Sequence, residues 1–63
     1  MPQITLKAAR VNSNLTQKTV AEELNVSVST IKNWEKGVSY PKQPQICQLC
    51  ELYGMSFDDI FFN

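Results

Sequence analysis

A chain of 63 residues makes one small domain that buries about 60% of the surface its unfolded form exposes, which excludes a spacious enclosed active site. Its 43% hydrophobic and 19% charged content is that of a globular protein, and no apolar run approaches the ~18 residues of a membrane span. The formal net charge of zero lacks the basic excess usual in nucleic-acid-binding domains.

That charge is unevenly placed. Residues 1–42 carry Lys7, Arg10, Lys18, Lys32, Lys36 and Lys42 against Glu22, Glu23 and Glu35, a net +3, whereas residues 43–63 carry only Glu51, Asp58 and Asp59, a net −3. A basic pole and an acidic pole would turn the first two thirds towards an anionic partner. Nothing at the N-terminus resembles an export signal, so the two cysteines are expected as reduced thiols in a cytoplasm.

In chain order the pattern predicts five short helices, within a single domain over residues 1–63, and no convincing strand. Thr5 caps the first helix, "TLKAAR", with Leu6 and Ala9 inward, and the polar "NSN" at 12–14 ends it. Thr16 caps the second, "TQKTVAEEL", where Val20, Ala21 and Leu24 recur at helical spacing. Asn25 stands where that helix must stop and accepts a left-handed conformation.

The next segment, "LNVSVSTIKNWEKG", is ambiguous, because its first half alternates like a strand. A strand there would have no partner, since no second alternating run exists. As a helix, Ser27 becomes the N-cap, Ile31, Trp34 and Glu35 fall on one side, and Gly37 closes it. "SYPKQP" is a loop. "PQICQLCELYG" is the fourth helix, with Ile46, Leu49, Cys50 and Tyr53 inward and Gly54 at its end, and "SFDDIFF" is the fifth, capped by Ser56 with Asp58 and Asp59 in its first turn.

Little in the sequence suggests catalysis. "CQLC" offers two cysteines at i and i+3, but the chain has no histidine and no third cysteine, so neither a metal nor a cofactor is expected. Cys50 reads as a small core residue and Cys47 as a marginal one. With no histidine and no phosphate-cradling glycine loop, an enzyme is not expected. Trp34 reads as core, as does the set Phe57, Ile60 and Phe61. Arg10 and Glu35 lie on the margins of apolar faces, where an unpaired charge is costly, and they are candidates to pair with each other.

Two helices around a short turn at Asn25 and Val26 form a candidate helix-turn-helix, with small Ala21 where they cross. The stretch "LTQKTVAEELNVSVSTIKNWEKG" resembles the helix-turn-helix of the phage repressor and Cro family, also called the xenobiotic-response-element type. "SYPKQPQICQLCELYGMSFDDIF" is similar to that family's fourth and fifth helices. The main departure is Asn25, where the family usually has glycine.

The resemblance implies an all-α, five-helix, lambda-repressor-like fold that binds double-stranded DNA and regulates transcription, most simply as a repressor occupying promoter DNA. It implies that the third helix enters the major groove and that Val28, Ser29, Lys32 and Asn33 reach base edges. It places Gln17 on a backbone phosphate at the second helix N-terminus, and Lys18, Ser27, Lys36, Tyr40 and Lys42 near phosphates. In some relatives the matching glutamine also braces the residue at Val28, which a valine cannot accept. The resemblance also implies an Arg10–Glu35 pair bridging the first and third helices.

Helical spacing of about 100° per residue agrees, since Ser29, Lys32, Asn33 and Lys36 project away from Ile31 and Trp34. Asn33 matches adenine, and Val28 suits a thymine methyl. The plain alternative for such a face is a solvated surface, and the neutral net charge favours a protein-interaction module, antirepressor-like or antitoxin-like, that keeps the fold without reading DNA. Phe61 and Phe62, adjacent on one helix, cannot both face the core, so one is expected exposed at the acidic pole. That implies a weak homodimer on a pseudo-palindromic operator.

Overall fold

Side-chain caps start the first three helices. In the computed structural model, which describes residues 3–62, Thr5, Thr16 and Ser27 each accept a hydrogen bond at 3.1 Å from the backbone N–H three residues on, those of Ala8, Thr19 and Thr30. Each such cap satisfies one of the donors that a helix start leaves without an intrahelical acceptor. The caps begin α1 (Leu6–Asn12), α2 (Gln17–Leu24) and α3 (Val28–Lys36). The ambiguous segment is therefore helical from Val28 onward.

Termination follows the same local chemistry. Asn25 ends α2 at φ 58° and ψ 44°, and its N–H bonds back to Ala21 and Glu22. Gly37 ends α3 at φ 79°. Only the glycine adopts this left-handed backbone without steric cost, and Asn25 accepts it as the residue type next most tolerant of it.

The fourth helix, α4 (Gln43–Tyr53), starts just before Pro44, which lies in its first turn and needs no N–H there. Its N-cap is Lys42, whose backbone N–H donates to the Gln45 side-chain oxygen at 2.8 Å. That bond is the returning half of a capping box.

The expected fifth helix is not formed. Phe57–Asp59 make a single 3-10 turn, after which Ile60 is extended at φ −113° and ψ 131°. Ile60–Phe61 is a strand, β2, pairing in parallel with β1 (Ile4–Thr5), Ile4 opposite Ile60 and Thr5 opposite Phe61. The expectation of no strand is corrected with it. A parallel pair needs a long connection, here the whole helical body, so neither two-residue run has a local partner to betray it. The pairing also satisfies backbone groups at both chain ends while Ile60 drops into the core.

The core is built from one side of every helix. Leu6 and Ala9 of α1, Val20, Ala21 and Leu24 of α2, Ile31 and Trp34 of α3, and Leu49 and Tyr53 of α4 are buried together with Ile60. Removing each large aliphatic side chain from water contributes roughly 1.5 to 3 kcal/mol. Cys50 packs against this core and Cys47 is exposed.

Phe57 and Phe61, read as core, are exposed instead. A strand sends successive side chains to opposite faces, so Ile60 turns in, Phe61 turns out, and Phe62 returns to pack on the core and stack on Phe57 at 5.6 Å. No helix among the described residues is long and apolar enough to cross a membrane.

Candidate nucleic-acid interface

The packing of α3 decides what it displays. With Ile31 and Trp34 buried against the other helices, Val28, Ser29, Lys32, Asn33 and Lys36 are all exposed on its free side. This strip offers an apolar methyl pair, a hydroxyl, two ammonium groups and an amide that is both donor and acceptor. Together they match the groups on base-pair edges and phosphates. α2 packs more extensively on α3 than on any other element, so the strip's orientation is held by the core.

At the edge of the strip, three helices meet over one carboxylate. Arg10 of α1 donates from Nε to Glu35 Oε2 at 2.7 Å and from Nη2 to Glu35 Oε1 at 3.4 Å. Gln17 of α2 donates from Nε2 to the same Oε1 at 3.0 Å. Arg10 Nη1 also donates to the Leu15 carbonyl at 2.9 Å, holding the turn that leads into α2. The Arg10 and Glu35 side chains are only 12% and 5% exposed, so their mutual charge compensation, not solvent, balances them.

Above this cluster lies an open groove of about 410 Å³ lined by Lys7, Gln17, Lys32, Glu35 and Lys36. Three lysines line it, from α1 and α3, while the one acid among the lining residues, Glu35, is committed to Arg10. The result is a basic concavity on a chain of zero net charge, able to take an anion. Next to it, the N–H groups of Gln17 and Lys18 lie in the first turn of α2, where helix geometry gives them no intrahelical acceptor.

Lys7 was missed by sequence reading. Its signal was the i, i+3 spacing from Arg10, which places both on one side of α1 and so near the partner of Arg10 on α3. The Gln17–Glu35 bond, between residues 18 positions apart on different helices, has no signal in local spacing.

The remaining candidates are dispersed. Lys18, Ser27, Tyr40 and Lys42 are exposed and line no part of the groove. The Ser27 hydroxyl is engaged at the start of α3, on the Thr30 N–H at 3.1 Å and the Thr30 hydroxyl at 2.9 Å. Tyr40 and Lys42 sit in the loop between α3 and α4. Phe61, 50% exposed, stands at the chain-end pole, whereas Phe62 is half-buried.

Two titratable groups are displaced. Tyr53 is buried within reach of the Arg10 and Glu35 charges, its pKa pushed up to about 12, first by burial and then by the Glu35 charge, against which Arg10 acts. Its buried hydroxyl makes no hydrogen bond within the described residues. Burial, and then the neighbouring Cys47, push the Cys50 thiol above its ordinary value, away from the reactive thiolate.

Comparison with known proteins identifies the family of the chain. The family model described as "Helix-turn-helix" matches residues 6–60. The chain is 33% identical over 55 residues to the HTH-type transcriptional activator BcrR of Enterococcus faecalis, covering 87% of this chain and 27% of that protein. It is 36% identical over 53 residues to the HTH-type transcriptional regulator ImmR of Bacillus subtilis (strain 168), covering 84% of this chain and 42% of that protein. The chain thus spans less than half the length of either relative. No solved structure gives a significant match.

Proposed function

The chain belongs to the Cro/C1-type helix-turn-helix family, and from that premise we propose that it is the sequence-specific double-stranded-DNA-binding domain of a transcriptional regulator rather than an enzyme. In this reading α2 and α3 are the helix-turn-helix and α3 lies in the major groove. Val28, Ser29, Lys32 and Asn33 read base edges. Gln17, Lys18, Ser27, Lys36, Tyr40 and Lys42 meet the phosphates, and Lys7 joins them from α1. The observation that carries the reading is the exposed strip of α3 set beside a lysine-lined groove.

The mode of action proposed is occupancy, in which the bound protein covers promoter DNA and excludes polymerase, giving repression. Two copies bind a pseudo-palindromic operator as a weak homodimer, meeting through the pole that exposes Phe61. The longest dimension of the molecule, 31 Å, is close to one turn of duplex, about 34 Å, so touching copies suit half-sites one turn apart.

Selection from a randomised duplex pool at low salt, followed by sequencing of the bound fraction, tests this. The expected result is an enriched two-fold-symmetric sequence whose affinity falls steeply with salt. No retention of duplex at low salt would replace DNA reading with the protein-interaction role. Transcription raised by the bound chain would replace repression with activation, the sense in the name of the Enterococcus faecalis relative.

A further inference from the structure

Resting on that DNA-binding reading, we infer that Glu35 is a positioning residue for Gln17, fixing which end of the Gln17 amide serves the phosphate backbone. A glutamine side chain carries an acceptor oxygen and a two-proton donor nitrogen of nearly equal size, so an untethered one at a helix start turns either end outward. Only the nitrogen suits a phosphate. An ionised carboxylate accepts and never donates, so the 3.0 Å bond from Gln17 Nε2 to Glu35 Oε1 admits one orientation of the amide.

That orientation puts the nitrogen on the α3 side, where Lys32 and Lys36 line the same groove. One N–H is used on Glu35, and the planarity of the amide then fixes the direction of the second.

Arg10 makes the arrangement compatible with an anion. A bare carboxylate under the groove would repel a phosphate, but Arg10 neutralises this one through both oxygens, at 2.7 and 3.4 Å. The same guanidinium holds the Leu15 carbonyl at 2.9 Å, so the turn that delivers Gln17 and the carboxylate that orients it share one anchor. Glu35 thereby acts on DNA through Gln17 without touching it.

The test uses isotope-labelled protein, with the Gln17 side-chain amide assigned by NMR, and the duplex enriched from the pool. In the parent, the Gln17 Nε2 proton bonded to Glu35 is expected to be shifted and to exchange slowly. Glu35→Gln, uncharged and of equal size, presents either a donor or an acceptor to Gln17. It is expected to erase that signature and to weaken binding about three- to tenfold, with base preference unchanged.

Gln17→Ala is expected to give the same loss, and adding Glu35→Gln to it to cost nothing more. Binding is compared well below each unfolding midpoint. If Glu35→Gln does not fold, Glu35→Asp, which keeps the charge but withdraws it by one methylene, gives the same readouts.

An unaltered amide signature in the variant overturns the inference, as does an equal loss of affinity with and without Gln17→Ala. A parent that retains the amide signature but binds no duplex overturns the DNA-binding reading itself, and with it the role given to the pair.

Discussion

Arg10 and Glu35, 25 residues apart in sequence, close a 2.7 Å ion pair between α1 and α3 beneath the lysine-lined groove. The pair is both structural and local to the candidate interface. Removing one member leaves the other charge nearly out of water, so Arg10→Met or Glu35→Leu alone should cost about 3 kcal/mol. The two together should cost less than the sum, because the double variant buries no orphan charge. Denaturant midpoints at unchanged m-value measure this, and strict additivity would refute it.

Base reading and phosphate holding separate by residue. Asn33→Ala should cost about 1 to 3 kcal/mol on the selected operator and relax preference at one position of each half-site. Lys36→Ala and Lys7→Ala should weaken selected and scrambled duplexes alike and lower the salt slope by about one each. Titrations at several salt concentrations distinguish the two behaviours, and a Lys7→Ala slope equal to the parent's would remove α1 from the interface.

Tyr53 gives a pH signature. Its folded pKa of about 12 exceeds the ordinary value near 10, so the stability it contributes is complete below pH ~10 and is lost as pH rises towards 12. The loss should be about 2 to 3 kcal/mol. Tyr53→Phe deletes a buried hydroxyl that makes no hydrogen bond among the described residues, so it should leave stability at pH 7 equal or higher and remove this part of the alkaline decline. Urea titrations of parent and variant across that pH range give the difference directly.

The left-handed Asn25 predicts an asymmetric pair of substitutions. Asn25→Gly should change stability by less than about 0.5 kcal/mol, since both residues accept φ near 58°. Asn25→Val, β-branched, should cost about 1 to 2 kcal/mol. Thermal unfolding of the two variants tests the turn without touching the groove.

Dimer contacts at the chain-end pole predict an effect on cooperativity. Phe61→Ser should reduce cooperative occupancy of two half-sites while single half-site affinity stays as in the parent. Phe61, not Phe62, is the residue to change, because Phe62 is stacked on Phe57. Inserting ~5 base pairs between half-sites turns one to the opposite side of the duplex and should abolish cooperativity. Indifference to the insertion would show monomeric binding.

Features that rest on contacts within a few residues are legible in the amino-acid order. Thr5, Thr16 and Ser27 cap because a side-chain oxygen reaches an N–H three positions on, and Asn25 and Gly37 stop helices through their own backbone freedom. Helical spacing likewise fixed which side of α3 is buried, and so the strip that includes Lys32 and Asn33.

Features that depend on residues brought from far apart are set by the assembled fold. Ile60 and Phe61 leave the helical pattern because Ile4 and Thr5, some 56 positions earlier, offer backbone partners that no local window contains. For the same reason Phe61 faces outward, where a helix would have let it compete for the core. Glu35 was legible as a partner for Arg10 by charge and placement, but its second partner, Gln17, was not. Sharing one carboxylate between two helices follows from how closely α1, α2 and α3 pack, and packing is a property of the assembled core.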